Sequence, residues 1–186
     1  TYRLKMTFGN LVSEQNITVA SDPRLQVSQS AINQKYTASK ELEAYQKTIA
    51  AVVKQLVESK NTAKAFKSKF TKSDKKKYKE QLKQTKEITK KIDGLIALYF
   101  GKVDRRQGIT RNPEVTVSQR FFSAFRYVRS RFGNQTSTET QLVNQFKENH
   151  NEVLKKVNTF FDTDWKAYKT SLEKIEISPF KETKKF

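Results

Sequence analysis

The strongest constraint in this 186-residue sequence is a long apolar stripe between Ser137 and Ile175. Leu142, Phe146, Val153, Val157, Phe161, Trp165, Tyr168, Leu172 and Ile175 recur at intervals of three, four or their sum, seven. That spacing puts them on one face of a helix of period 3.6. Its start is written in Thr136-Ser137-Thr138-Glu139, hydroxyl caps followed by a carboxylate in the first turn, where free N–H groups and the helix dipole favour one. A helix from Ser137 to Ile175 extends about 55 Å at a rise of about 1.5 Å per residue. Only other long helices can cover a stripe of that length, so the rest of the chain is expected to lie along it.

Composition agrees. With 5 Gly and 3 Pro the sequence is poor in turn residues, and 13 Phe with 7 Tyr supply a core. There is no cysteine, which removes disulfide frameworks, zinc fingers and thiol nucleophiles and is compatible with an exported or envelope protein. No apolar run approaches the length of a membrane span, and no signal peptide opens the chain. The sequence begins at Thr1, already inside a strand-like alternation, and is expected to be part of a longer polypeptide. The formal charge of +18 creates a field that attracts anions, while a lysine-rich solvated surface is the simpler account of it.

In chain order, Tyr2, Leu4, Met6 and Phe8 alternate with Arg3, Lys5 and Thr7, the pattern of a half-buried strand. Gly9-Asn10 turns the chain, and residues 11–20 return as a second strand. A lone hairpin is marginal in water. Either the helices cover it, or it closes a sheet whose earlier strands lie upstream, and the abrupt start favours the second. Ser21-Asp22-Pro23-Arg24 makes a rigid exit. Ser28 then caps a long helix carrying Ile32, Tyr36, Leu42, Tyr45, Ile49, Val52, Val53 and Leu56. This helix is expected to reach toward Phe70, with a break near Ser59-Lys60-Asn61. Thr71 to Ser73 read as a turn, and a second helix begins at Asp74, carries Tyr78, Leu82, Ile88, Ile92, Leu95 and Tyr99, and stops at Gly101. Residues 101–115 form a long charged loop, of a length often reserved for function. Thr116 or Ser118 opens a short third helix through Val117, Phe121, Phe125 and Val128, ending near Phe132-Gly133-Asn134. The expected architecture is mainly α: an antiparallel bundle of about four helices, three long and one short, preceded by a β-hairpin. Its divisions are hairpin 1–22, bundle 23–176 and extended tail 177–186.

The residues suited to carry chemistry are few. Lysines crowd the start of the second helix: Lys75, Lys76, Lys77, Lys79, Lys83 and Lys86, flanked by Lys72, Lys90 and Lys91 and diluted only by Asp74, Glu80 and Glu87. They are the candidate polyanion contact, for nucleic acid or envelope glycolipid, although a solvated helix face accounts for them more simply. Arginines gather in the long loop and third helix, and Arg105, Arg106 and Arg111 are the candidate contact with a partner protein, since planar guanidiniums suit bidentate carboxylates. They serve equally well to tie the loop to the bundle. His150, the single histidine, falls on the organising stripe and reads as a core residue. Asp162 and Asp164 sit two apart on a helix and diverge by about 200°, so they cannot act as an acid–base pair. An enzyme would need Asp104, Asp162, Asp164 and His150 to converge. No phosphate-binding loop, nucleophile elbow, zinc-protease or dinucleotide motif occurs. No catalytic, cofactor or metal site is expected.

The order of elements resembles the C-terminal region of sortilin-like BNR/Asp-box β-propeller proteins, exported bacterial proteins common in Bacteroidetes and described as glycosyl hydrolase-like. The residues that carry the resemblance are NITVASDPRLQVS (16–28), KVDRRQGITRNPEVTVSQRF (102–121) and FFDTDWKAYKTSLEKIEISPFKETKKF (160–186), and the resemblance they imply would cover essentially the whole chain. In that family a propeller comes first, then a small β-sandwich, then this helical region. The resemblance implies that Tyr2 to Val19 is the last hairpin of the sandwich and that any hydrolytic site lies on the propeller, so no functional residue carries over. It also implies a secreted or envelope location. The leading expectation is therefore a non-catalytic structural and interaction module. It would dock on upstream domains of its own polypeptide or on another envelope or secreted protein. A basic polyanion-binding module is the rival reading.

Overall fold

The computed structural model describes residues 1–102 and 115–175. The expected architecture is present: a two-stranded antiparallel hairpin followed by a mainly α bundle. The expected loop arginines Arg105, Arg106 and Arg111, Asp104 and the tail 177–186 lie outside the described residues.

Strands β1 (Tyr2–Phe8) and β2 (Leu11–Ile17) pair in a register that sets Phe8 opposite Leu11 and Tyr2 opposite Ile17. The two-residue loop between them places Gly9 at φ +57°, the conformation that a tight hairpin turn asks of its first residue. The pairing stops at Ile17, short of the expected Ala20. One face carries Tyr2, Leu4, Met6, Phe8, Leu11 and Ile17; the other carries Arg3 and Lys5, both paired with Glu14. The expectation of a half-buried strand is corrected here. Among the described residues no helix covers the apolar face, and Phe8 is 83% exposed and Met6 69%. Asp22 closes the exit turn, accepting from the backbone N–H of Arg24 at 2.9 Å and from its guanidinium at 2.7 Å.

Helix α1 (Gln29–Ser73) is a single helix of 45 residues, capped by Ser28, whose hydroxyl accepts from the Ala31 N–H. The expected break at Ser59-Lys60-Asn61 is absent. Its buried positions repeat every seven residues, at Leu42, Ile49, Leu56, Ala63 and Phe70. Ala38, Tyr45, Val52, Ser59 and Phe66 interleave three residues after positions of that series. This is a heptad seam, which keeps a long helix against its neighbours where a 3.6 period would drift off the contact. Ile32 and Tyr36, expected inside, are exposed, because they fall off the seam that Ala31 and Ala38 occupy.

The turn comes later than expected. Helix α1 runs through Thr71 to Ser73, and α2 (Lys79–Phe100) starts only after the turn that Asp74 holds. The Asp74 carboxylate accepts from the N–H groups of Lys76 at 2.8 Å and Lys77 at 3.0 Å. Tyr78 is buried against Phe70, ring centroids 5.0 Å apart. An ion pair between Lys60 and Asp93 fixes the antiparallel register of α1 and α2. Gly101 ends α2 at φ +83°, as expected.

Helix α3 (Val117–Arg129) begins in a reciprocal capping box between Thr116 and Gln119 and ends before the expected Phe132. The organising helix is α4 (Ser137–Phe160), a π turn (Phe161–Trp165) and α5 (Lys166–Glu173) in unbroken succession. Thr136 and Glu139 form its capping box. Two details of the expected stripe are corrected: Val143 and Phe160 are buried, whereas Leu142 and Phe161 pack at the margin of the core. The π turn explains how the stripe continues. Phe160 and Tyr168 are both buried and eight residues apart, which in an α-helix overshoots two turns by about 80°. One extra residue in a π turn absorbs that angle and brings Tyr168 and Leu172 back over the core.

Candidate functional site

The first candidate surface is the lysine face. Lys75, Lys76 and Lys77 stand in the turn before α2, and Lys79, Lys83, Lys86 and Lys90 follow along the helix, all exposed. The intervals within α2 are four, three and four, so these lysines form one line. The buried side of the same helix is Thr85, Ile88, Ile92 and Tyr99, which lies roughly 160° around the axis from the lysine line at about 100° per residue. The core therefore turns every one of these lysines to solvent. Among the described residues none of Lys75, Lys76, Lys77, Lys79, Lys83 and Lys86 is in an ion pair. Among the described residues Glu80 and Glu87 make no ion pair with these lysines, while farther along Asp93 pairs with Lys60 and Asp164 with Lys91 at 2.6 Å.

The described arginines do not gather into one site. Arg120 donates to Gln145 at 3.3 Å, Arg129 lies 5.0 Å over the Phe125 ring, and Arg131 donates to the Asn134 carbonyl at 2.7 Å. The histidine and aspartates stay apart as well. His150 is 1% exposed, enclosed by Tyr45, Phe146 and Tyr99 at ring-centroid distances of 5.2, 5.9 and 6.4 Å. Burial lowers its pKa and keeps it neutral, and its Nδ1 has no hydrogen-bond partner. The Tyr99 hydroxyl nearby is also unpartnered, and burial pushes its pKa up to about 12. Asp164 pairs with Lys91 at the π turn, fourteen residues or about 20 Å along the same helix from His150. Among the described residues, no group of His, Asp and Glu side chains is placed to hold a metal ion.

One polar constellation has no counterpart in the sequence analysis. Glu139, 2% exposed, takes a hydrogen bond from Lys35 Nζ at 2.7 Å and one from the Thr136 N–H at 3.0 Å, with Arg131 Nε at 3.5 Å. Lys35 Nζ also donates to the Val128 carbonyl at 3.1 Å. Burial raises the Glu139 pKa, but the Lys35 and Thr136 hydrogen bonds and the charges of Lys35 and Arg131 outweigh it, and the net shift is downward. The carboxylate thus ties the starts of α1 and α4 to the end of α3. The signal that could have found it is Lys35 itself, seven residues before Leu42 and so on the core-facing register of α1. Beside this knot lies an open polar groove of about 720 Å³ between α1 and α4, bordered by Asn33, Gln34, Thr37, Thr140 and Asn144 and crossed by the 2.6 Å Lys147–Glu41 ion pair.

No family model matches the chain, and no curated protein or solved structure matches it. Among the described residues no helix is long and apolar enough to cross a membrane.

Proposed function

We propose that this chain is a non-catalytic structural and interaction module, the C-terminal helical part of a larger exported β-propeller protein. Its hairpin is completed by strands of an upstream β-domain of the same polypeptide. The observation that carries the reading is the two-faced hairpin. Tyr2, Leu4, Met6, Phe8, Leu11 and Ile17 stand uncovered on one side, and Arg3, Lys5 and Glu14 pair on the other. Antiparallel strands with one apolar and one charged face belong to a sheet packed on one side only, and two strands alone do not sustain themselves in water. A β-sandwich supplies both missing partners, further strands and an opposing sheet. The bundle then serves as a stiff body held at a fixed place on that domain, and the Arg105–Arg111 segment is its contact with the propeller or with a second exported protein. The test is the intact mass of the native protein with peptide mapping upstream of Thr1. Several hundred further residues carrying Asp-box repeats are expected. A native chain that begins at or near Thr1 overturns the proposal.

A further inference from the structure

The hairpin reading leaves the lysine face of α2 unused, and that face supports a separate inference from its own geometry. We propose that it is an electrostatic landing surface for an anionic lipid bilayer, binding phosphate headgroups without insertion.

Three properties of the face select this partner. The line from Lys79 to Lys90 is straight and about 16 Å long, with Lys75, Lys76 and Lys77 extending the charge at its start. A plane meets such a line along its whole length, whereas a duplex strand turning once in about 34 Å winds nearly half a turn over the same distance. Second, no aromatic residue lies between Lys79 and Lys90, so the face has nothing on which single-stranded bases could stack. Third, the charges are lysines, compact and strongly hydrated, suited to wet phosphate headgroups and unsuited to the bidentate reading that arginine performs. The apolar side of α2 is committed to the core through Ile88, Ile92 and Tyr99. The helix therefore cannot bury an apolar face in the acyl region as interfacial helices do, and adsorption is purely electrostatic. The +18 charge of the chain draws the molecule to the surface, and the α2 line sets which side faces it.

The test is co-sedimentation of the purified chain with phosphatidylcholine vesicles containing none or about 30 mol % phosphatidylglycerol, over a salt series. Binding is expected only to the anionic vesicles and is expected to vanish at high salt. Each surface lysine contributes about fivefold, so the variant Lys79→Gln/Lys83→Gln/Lys86→Gln/Lys90→Gln is expected to lose about 600-fold in partitioning. The same charge removed elsewhere, at Lys54, Lys155, Lys166 and Lys169, is expected to cost far less. Circular dichroism checks that each variant folds. Should the quadruple variant be unfolded, Lys83→Gln/Lys86→Gln alone is expected to lose about 25-fold. Equal losses from the two quadruple sets would reduce the effect to net charge and overturn the proposal. A duplex oligonucleotide that binds more tightly at the same salt and strips the protein from vesicles would overturn it in favour of nucleic acid.

Discussion

Lys35 and Glu139 show how much a single pair of residues can decide. The Glu139 carboxylate is taken out of water, and only the ammonium of Lys35, the Thr136 N–H and the guanidinium of Arg131 make that tolerable. Removing one partner of a buried ion pair strands the other, so Lys35→Met is expected to cost about 3 kcal/mol at neutral pH in urea unfolding. The folded pKa of Glu139 lies below its usual 4.5. Its contribution is therefore complete above about pH 4.5 and is lost as pH falls through the folded value. The stability gap between the native chain and Lys35→Met should accordingly be narrower at pH 3 than at pH 7, and an equal gap at both would refute this account. His150 carries the opposite kind of lesson. Its folded pKa lies below the usual 6.5 because burial disfavours the cation, so stability falls as pH drops from about 6.5 toward the folded value. His150→Phe removes the unpartnered Nδ1 from among Tyr45, Phe146 and Tyr99. The variant is expected to gain about 1 kcal/mol and to lose the acid limb between pH 7 and 5, measured by urea midpoints across that range.

At the scale of the element, the π turn of the last helix makes a counterintuitive prediction. It holds one residue more than the α-helix needs between Phe160 and Tyr168, and the exposed Thr163 sits inside it. Deleting Thr163 should convert the π turn to regular α-helix while keeping Tyr168 and Leu172 over the core, and stability should change by no more than about 1 kcal/mol. Deleting Asn151, equally exposed but within regular α4, rotates everything beyond it by about 100°. That variant should be strongly destabilised or unfolded. Urea unfolding of the two deletions, side by side, checks the argument; similar losses in both would show that the π turn does not serve to re-phase the stripe. The hydrogen bond between the Thr85 and Tyr168 hydroxyls at 3.0 Å is what that re-phasing delivers, since it joins α2 to α5 inside the core.

At the scale of the whole molecule, the bundle and the hairpin are mechanically separate. Among the described residues the core draws on every helix, through contacts such as Tyr45 with Phe146, Phe121 with Phe146 and Phe70 with Tyr78, and takes nothing from β1 or β2. Removing residues 1–22 is therefore expected to leave the thermal midpoint of the bundle unchanged. Hydrogen exchange of the intact chain is expected to show residues 2–17 exchanging far faster than α1, α2 and α4, because a two-stranded hairpin with an uncovered face opens readily. A fall of several degrees on truncation would mean that the bundle depends on the hairpin after all.

The sequence by itself determined the class of the fold and where most elements begin. Capping chemistry is local: Ser28, Thr136 and Gly101 act within a turn of their own position and stand where they were expected, and of Thr116 and Ser118, the two expected starts of the third helix, Thr116 is the cap. The existence of long helices was legible for the same reason, since periodicity over many residues needs no knowledge of the partner. Which residues of each stripe go inside was decided only by tertiary structure. Ile32 and Tyr36 are exposed while Ala31 and Ala38 are buried, because the neighbouring helices lie along a heptad seam on which Ala31 and Ala38 fall and Ile32 and Tyr36 do not. The π turn, the unbroken α1 and the Lys35–Glu139 pair are likewise long-range outcomes, each set by a surface more than a hundred residues away or by the phase of a whole helix. The candidate surfaces were legible in part. The lysine run was visible as charge, but its alignment into one outward line depended on which side of α2 the core claims. The apolar hairpin was visible as alternation, and that no helix among the described residues covers it could be learned only from where the helices pack.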